Sequence, residues 1–232
     1  AIYIDRNREK ATLKLLHKGK LSAILNEIAK MPIPPYIKRE NNNDNNLEAL
    51  DRERYQTIFA KYPGAIAAPT AGLHFTPNIL KSLKEKGVDT SHITLHVGTG
   101  TFQPIRTESI IEHKMQAEQF HISKETTKSL ITSSKNHKKI IAVGSTTTRV
   151  LESVDLSTLQ EEGTSGWTNR YIFPGQKFNS INHILTNFHL PKSTLYILVC
   201  AFADKNLISK AYNEAMKRKY RFFSYGDAML II

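Results

Sequence analysis

The sequence predicts an α/β protein built on a barrel-like or doubly wound sheet, and three observations carry that reading. Apolar, strand-like runs end five times in short stretches of glycine, hydroxyl, imidazole or amide residues, at 65–68, 93–97, 140–143, 184–188 and 222–223. Three of these stretches lead straight into a helix. From about residue 52 onward, strand and helix signals alternate in the rhythm of βα units. Where parallel strands end at a common rim, residues distant in sequence gather into one pocket, the arrangement of an enzyme.

Taken in order, 1–5 and 11–17 read as strands joined by the turn-prone Arg6-Asn7-Arg8, and Leu21, Ile24, Leu25 and Ile28 recur at helical spacing. Met31-Pro32-Ile33-Pro34-Pro35 stops that helix. Two strands and a helix bury no core, so 1–33 is expected to be part of a small β-rich unit. The asparagine-rich tract 41–46 reads as a polar loop. Residues 52–61 read as helical. The next helix is signposted by Thr76 as N-cap, Pro77 in the first turn and Gly87 past the end. Further along, 116–122 reads as an alternating strand with its acids solvated or at a pocket edge, 124–136 as a helix, 139–143 as a strand and 146–154 as a helix. Residues 171–174 and 183–188 read as strands, 193–203 as an apolar helix and 207–220 as an amphipathic one.

Bulk properties narrow the class. The chain has 232 residues, 40% hydrophobic, with 32 Lys and Arg against 21 Asp and Glu and a formal charge of +11. Such an excess of positive charge points to a polyanionic partner, nucleic acid before membrane. No run approaches the roughly 20 apolar residues of a membrane span, and no signal-peptide layout opens the chain. The one cysteine, Cys200, lies in an apolar run and reads as a core hydrophobe, so a cytoplasmic home is expected. The chain opens without methionine, directly in a strand-like run, and is expected to begin inside a longer protein.

Several segments are suited to chemistry. Gly144-Ser145-Thr146-Thr147-Thr148-Arg149 follows a strand and opens a helix, gathering backbone N–H groups, hydroxyls and a guanidinium where a carboxylate or phosphate fits; simple capping by Ser145 or Thr146 is the alternative. Gly98-Thr99-Gly100 lacks the rest of a dinucleotide fingerprint and reads as close backbone approach to a ligand. Thr70 and Gly72 belong to a small-residue turn that presents His74, either as a proton-transfer group or as a packed ring. No metal-ligand spacing and no nucleophile elbow occur, so neither metal nor covalent catalysis is expected. At the C-terminal end, Lys217, Arg218, Lys219 and Arg221, interleaved with Tyr and Phe, suit phosphate contacts and base stacking; the rings suit a core equally well.

Read together, Ala67-Ala68-Pro69-Thr70-Ala71-Gly72-Leu73-His74-Phe75, Leu95-His96-Val97-Gly98-Thr99-Gly100-Thr101-Phe102, Val143-Gly144-Ser145-Thr146-Thr147-Thr148-Arg149, Thr186-Asn187-Phe188-His189-Leu190-Pro191 and Phe222-Phe223-Ser224-Tyr225-Gly226-Asp227, with shorter matches at 34–39, 54–57 and 173–175, resemble the S-adenosylmethionine:tRNA ribosyltransferase-isomerase family of queuosine biosynthesis. The resemblance runs in order over nearly everything from residue 34. It implies a barrel-like (β/α) catalytic domain, 34–232, interrupted by an inserted small β-barrel domain of which 1–33 is the remnant and connecting helix, with the family's N-terminal part absent. It implies S-adenosylmethionine as ribosyl donor, without a metal, and tRNA carrying 7-aminomethyl-7-deazaguanine as acceptor. Epoxyqueuosine, adenine and methionine are the products. On this likeness His74 or His96 is expected to transfer the proton, Asp227 to meet the sulfonium or ribose, Arg149 to take the methionine carboxylate, and Asn187 and His189 to bond a base. A monomer is expected. A barrel enzyme acting on a small phosphorylated metabolite and a noncatalytic tRNA-binding module are the other readings.

Overall fold

The computed structural model describes residues 2–6, 11–34, 36–37, 45–98, 100 and 105–232. The turn at 7–10, the tract 41–44, Thr99 and 101–104 lie outside the described residues. The chain divides into two compact units, Ala1–Met31 and Pro32–Ile232.

The first unit holds β1 (Ile2–Arg6), β2 (Ala11–Lys14) and α1 (Leu21–Ile28). β1 and β2 pair antiparallel, with Tyr3 opposite Leu13 and a register shift between Tyr3 and Asp5. Every residue of both strands is exposed, which fits the rule that a two-stranded ribbon encloses no core of its own. The second strand stops at Lys14, three residues short of the expected end.

The second unit runs α2 (Asn45–Arg54), α3 (Pro77–Glu85), β3 (Ile93–His96), β4 (Glu118–Ile122), α4 (Lys124–Lys135), β5 (Ile141–Val143), α5 (Ser145–Leu151), β6 (Thr164–Thr168), β7 (His183–Asn187), α6 (Thr194–Ala203), α7 (Lys205–Lys217) and β8 (Ala228–Ile231), with short 3-10 turns at Thr70–His74 and Ile110–Glu112. It is a mixed α/β unit with two three-stranded sheets, ordered β3-β4-β6 and β5-β7-β8. Among the described residues neither sheet closes into a barrel. β5 and β7 are parallel; β7 with β8, and every pair in the other sheet, are antiparallel. The common rim of parallel strands is thus narrowed to one pair, whose carboxyl ends still lie side by side.

Side-chain caps fix where helices begin. Thr76 Oγ1 accepts from Ile79 N at 3.2 Å, Ser123 Oγ from Thr126 N at 3.3 Å and Ser193 Oγ from Tyr196 N at 3.1 Å, each contributing about 1 kcal/mol. Gly87, at φ +73, ends α3 as expected. The apolar faces meet in a core containing Phe120, Ile122, Ala142, Val150, Ile184 and Leu198, with Cys200 among them as a free thiol.

Four expectations are corrected. Residues 65–68 form no strand: they are mainly alanines with weak β preference, flanked by Gly64 at φ +142 and by Pro69, which has no N–H to donate, and Ile66 N bonds only Val97 O across 2.9 Å. Residues 171–174 are likewise coil ending in a proline turn, and the strand instead is β6, whose Gly166 leaves room for the Phe120 ring; a Cβ there would sit 3.2 Å from it. Phe223 has φ +72, so 222–223 cannot be a strand, and β8 follows it. The helix expected at 52–61 lies at Asn45–Arg54, taking in the last two asparagines of the polar tract; past it, Thr57 N is bonded at 2.8 Å by the Gln56 side chain rather than by a helical carbonyl.

Candidate active site

The ends of β5 and β7 open onto a cavity of about 500 Å³ within the second unit. Its walls come from the turn before Thr70–His74, the start of α5, the segment after β7, and the turn before β8. Gly144, at φ +89, directs the chain from β5 into α5. Its N–H donates to Leu185 O at 2.8 Å, so the parallel pair itself sets the position of Ser145 and Thr146 on the wall.

One hydrogen-bonded chain runs from the wall outward. Thr70 Oγ1 donates to Asn187 Oδ1 at 2.9 Å, which fixes the amide so that Nδ2 faces His74 Nε2 at 3.4 Å. In the neutral ring Nε2 is then the lone-pair nitrogen. His189, also on the wall, is 9% exposed; its Nε2 meets Thr186 Oγ1 at 2.7 Å, and its backbone N–H donates to Tyr212 Oη at 2.8 Å. Burial pushes the His189 imidazole down from 6.5 to about 4 and the Tyr212 phenol up to about 12. His189 is therefore a neutral hydrogen-bonding group at physiological pH. Because the unfolded chain takes up a proton at His189 below pH 6.5 and the folded chain only near pH 4, stability is expected to be whole above 6.5 and to fall by on the order of 3 kcal/mol as pH drops through this window. Urea midpoints from pH 7 to 4 check this: His189→Gln should show a flatter dependence than the parent.

A second wall was not foreseen. Tyr36 and Tyr55 line the cavity with Phe223 and Ser224; the Tyr36 and Ser224 hydroxyls are hydrogen-bonded, and burial raises the Tyr55 phenol. Isolated tyrosines carry no periodic signal; only their position inside matching motifs hinted at them. Among the described lining residues Lys192, at φ +60, is the one lysine, and arginine, aspartate and glutamate are absent.

The remaining expected site residues among those described do not line the cavity. Arg149 is 4% exposed and off the cavity wall: Nη1 donates to Glu118 Oε2 at 2.6 Å and Nε to Arg170 O at 2.9 Å. Glu118, expected at a solvated or pocket-edge position, is instead 3% exposed, and its Oε1 accepts from Gly98 N at 2.9 Å. The alternation of β4, with Glu118, Phe120 and Ile122 inward, requires a buried partner for that acid, and Arg149 supplies it. His96 does not line the cavity; Val97 does, and alternation turns the two side chains apart. The His96 ring lies against Gly64, where a Cβ would come within 2.6 Å of Nδ1. Gly72 is packed on Thr57 and Phe59, and Gly100 on Gln116. Both Asp227 oxygens are engaged by Arg221, Oδ2 by its backbone N–H at 2.7 Å and Oδ1 by Nη2 at 2.8 Å, which holds the carboxyl below its usual range.

In the basic C-terminal segment, Arg218 pairs with Glu214 at 2.7 Å and Arg221 with Asp227, while Lys217 and Lys219 are exposed and make no ion pair among the described residues. The rings divide: Tyr212 is buried and Phe222 packs on Phe188 at 4.9 Å, so they complete the core, whereas Tyr220 is half exposed. Among the described residues no cluster of three or more His, Cys, Asp or Glu is arranged to hold a metal, and no helix is long and apolar enough to cross a membrane.

A mixed α/β unit with a largely apolar cavity of about 500 Å³, set with several hydroxyls and one carboxamide at the ends of two parallel strands, is of the kind that binds small ligands. Comparison with known proteins places the chain further. Residues 1–231 match the family model described as "Queuosine biosynthesis protein", and the chain belongs to that family. It is 48% identical over 231 residues to the S-adenosylmethionine:tRNA ribosyltransferase-isomerase of Sulfurihydrogenibium sp. (strain YO3AOP1), covering 99% of this chain and 65% of that protein. It is 46% identical to the protein of the same name from Halothermothrix orenii, over 93% of this chain and 61% of the relative. The crystal structure of S-adenosylmethionine tRNA ribosyltransferase from Thermotoga maritima superposes with a TM-score of 0.58 at 43% identity, over 70% of this chain and 51% of that one. The chain thus spans about three fifths of the length of the relatives it matches.

Proposed function

We propose that the protein transfers and isomerises the ribosyl moiety of S-adenosylmethionine onto 7-aminomethyl-7-deazaguanine in tRNA, releasing adenine and methionine and leaving epoxyqueuosine. One observation carries this reading: motif stretches scattered from Thr70 to Ser224 contribute side chains to a single cavity of about 500 Å³, within the range of nucleoside-sized sites. Family membership supports it.

The reaction needs a base for a C5′ proton beside the sulfonium and a donor for departing adenine. His74 is our candidate for proton transfer, because it adjoins the wall through Asn187, and His96 is set aside because its ring packs on Gly64 away from it. Thr70 and Asn187 orient the substrate and the histidine together. Ser145, Thr146 and neutral His189 supply hydrogen bonds to ribose or base. With Arg149 committed to Glu118, Lys192 is the candidate partner for the methionine carboxylate. Lys217 and Lys219 are candidates for tRNA phosphates.

We further read 34–232 as a barrel-like catalytic domain and 1–33 as the tail of an inserted β-barrel domain, in a monomeric cytoplasmic enzyme. Incubating the full-length protein with S-adenosylmethionine and precursor-bearing tRNA tests the function: free adenine and methionine are expected, and methylated RNA in their place would overturn it.

A further inference from the structure

The turn between α7 and β8 carries the chain from Arg218 to Asp227. Phe223 holds a left-handed backbone at φ +72, a conformation that bulky residues rarely adopt and that persists only where surrounding contacts enforce it. Those contacts are explicit. Phe223 N donates to Phe188 O at 3.0 Å, tying the turn to the segment after β7. Gly226 N returns to Phe223 O at 3.0 Å and Asp227 N to Arg221 O at 2.8 Å. A Cβ on Gly226 would lie 2.5 Å from Arg221 O and from the Phe222 carbonyl, so no other residue fits. The two-point Arg221–Asp227 clasp closes the loop.

The product of this strain is a wall. Phe223 faces the cavity beside Tyr36, ring centroids 5.2 Å apart and planes at 52°, and the next residue, Ser224, bonds the Tyr36 hydroxyl. We propose that Phe223 is a specificity-determining residue that packs against a flat heteroaromatic base, adenine on the reading above, and that Arg221 and Asp227 are positioning residues that hold it there. This rests on the proposed function for the base's identity, though not for its chemical class. The aromatic faces alone would also attract a cation, and one feature of the cavity selects a base over the sulfonium. The aromatic faces are accompanied by Ser224 and the Thr70–Asn187 pair, which hydrogen-bond the polar edge of a purine, whereas a sulfonium has no such edge. The proposal also moves Arg221 and Asp227 away from direct contact with RNA or substrate, since each already occupies the other.

The test compares parent, Phe223→Leu, Phe223→Tyr and Asp227→Asn in the full-length protein, with adenosine and S-methylmethionine as separate probes beside S-adenosylmethionine. Phe223→Leu is expected to weaken adenosine binding about tenfold and to raise KM for S-adenosylmethionine by a like factor, with kcat changed less than about twofold, as loss of one base–aromatic contact implies. Phe223→Tyr should retain parent affinity. Asp227→Asn should raise the same KM in the parent background and have little further effect in Phe223→Leu, the non-additivity of residues acting through one another. Undiminished adenosine affinity in Phe223→Leu would overturn the proposal, as would a loss confined to S-methylmethionine or to tRNA. If the parent binds adenosine through Phe223 yet releases no adenine from S-adenosylmethionine, the wall stands and the reaction reading falls.

Discussion

His74→Ala is expected to lower kcat for the proposed release of adenine by roughly two to four orders of magnitude, the span typical of a lost general acid–base group. Its Nε2 is 3.4 Å from Asn187 Nδ2, a contact long enough for an arriving substrate to displace, while Thr70 keeps the amide from rotating away. Little of the effect should fall on KM. His96→Ala is the control. Its ring is packed on Gly64, so stability should fall and the rate per folded molecule should stay near the parent's. Turnover by His74→Ala at the parent rate would remove that histidine from the mechanism.

The second large effect concerns stability. Glu118→Ala leaves the Arg149 guanidinium buried at 4% exposure without its carboxylate, and Gly98 N–H without its acceptor. Breaking one side of a buried pair costs about 3–5 kcal/mol, and a unit of this size should lose about 10 °C or more in Tm. Glu118→Gln, whose single carbonyl oxygen keeps an acceptor for one of the two donors, should lose less. Thermal unfolding of the three proteins decides the matter. If Glu118→Ala melts within a degree or two of the parent, the pair does not anchor this part of the fold.

Most of the element types were legible in the sequence because they rest on local chemistry: Thr76 announces its helix by a cap that needs only its own next turn. What failed was decided at a distance. Nothing near 164–168 says strand, since Gly166 is there to admit the Phe120 ring of β4; nothing near Phe223 says positive φ, since Phe188, Gly226 and Asp227 impose it. The cavity was half legible. Thr70, Ser145, Thr146, Asn187 and His189 all sit on its walls, as their places after apolar runs suggested. Arg149 was read as a ligand group because its pairing with Glu118, thirty-one residues earlier, has no signature in the spacing. A charged residue on a short helix after a strand looks the same in sequence whether it meets a substrate or a buried acid.

Among the described lining residues Lys192 alone supplies charge to the cavity, and no acidic side chain stands beside it there. On the proposed reaction that asymmetry has an electronic consequence. An adjacent carboxylate would stabilise a bound sulfonium and so make its neighbouring C–H bonds less acidic. The described lining holds none, and on the proposed reaction the positive sulfur would draw electrons from C5′ undamped, so that the donor would arrive already primed for proton loss.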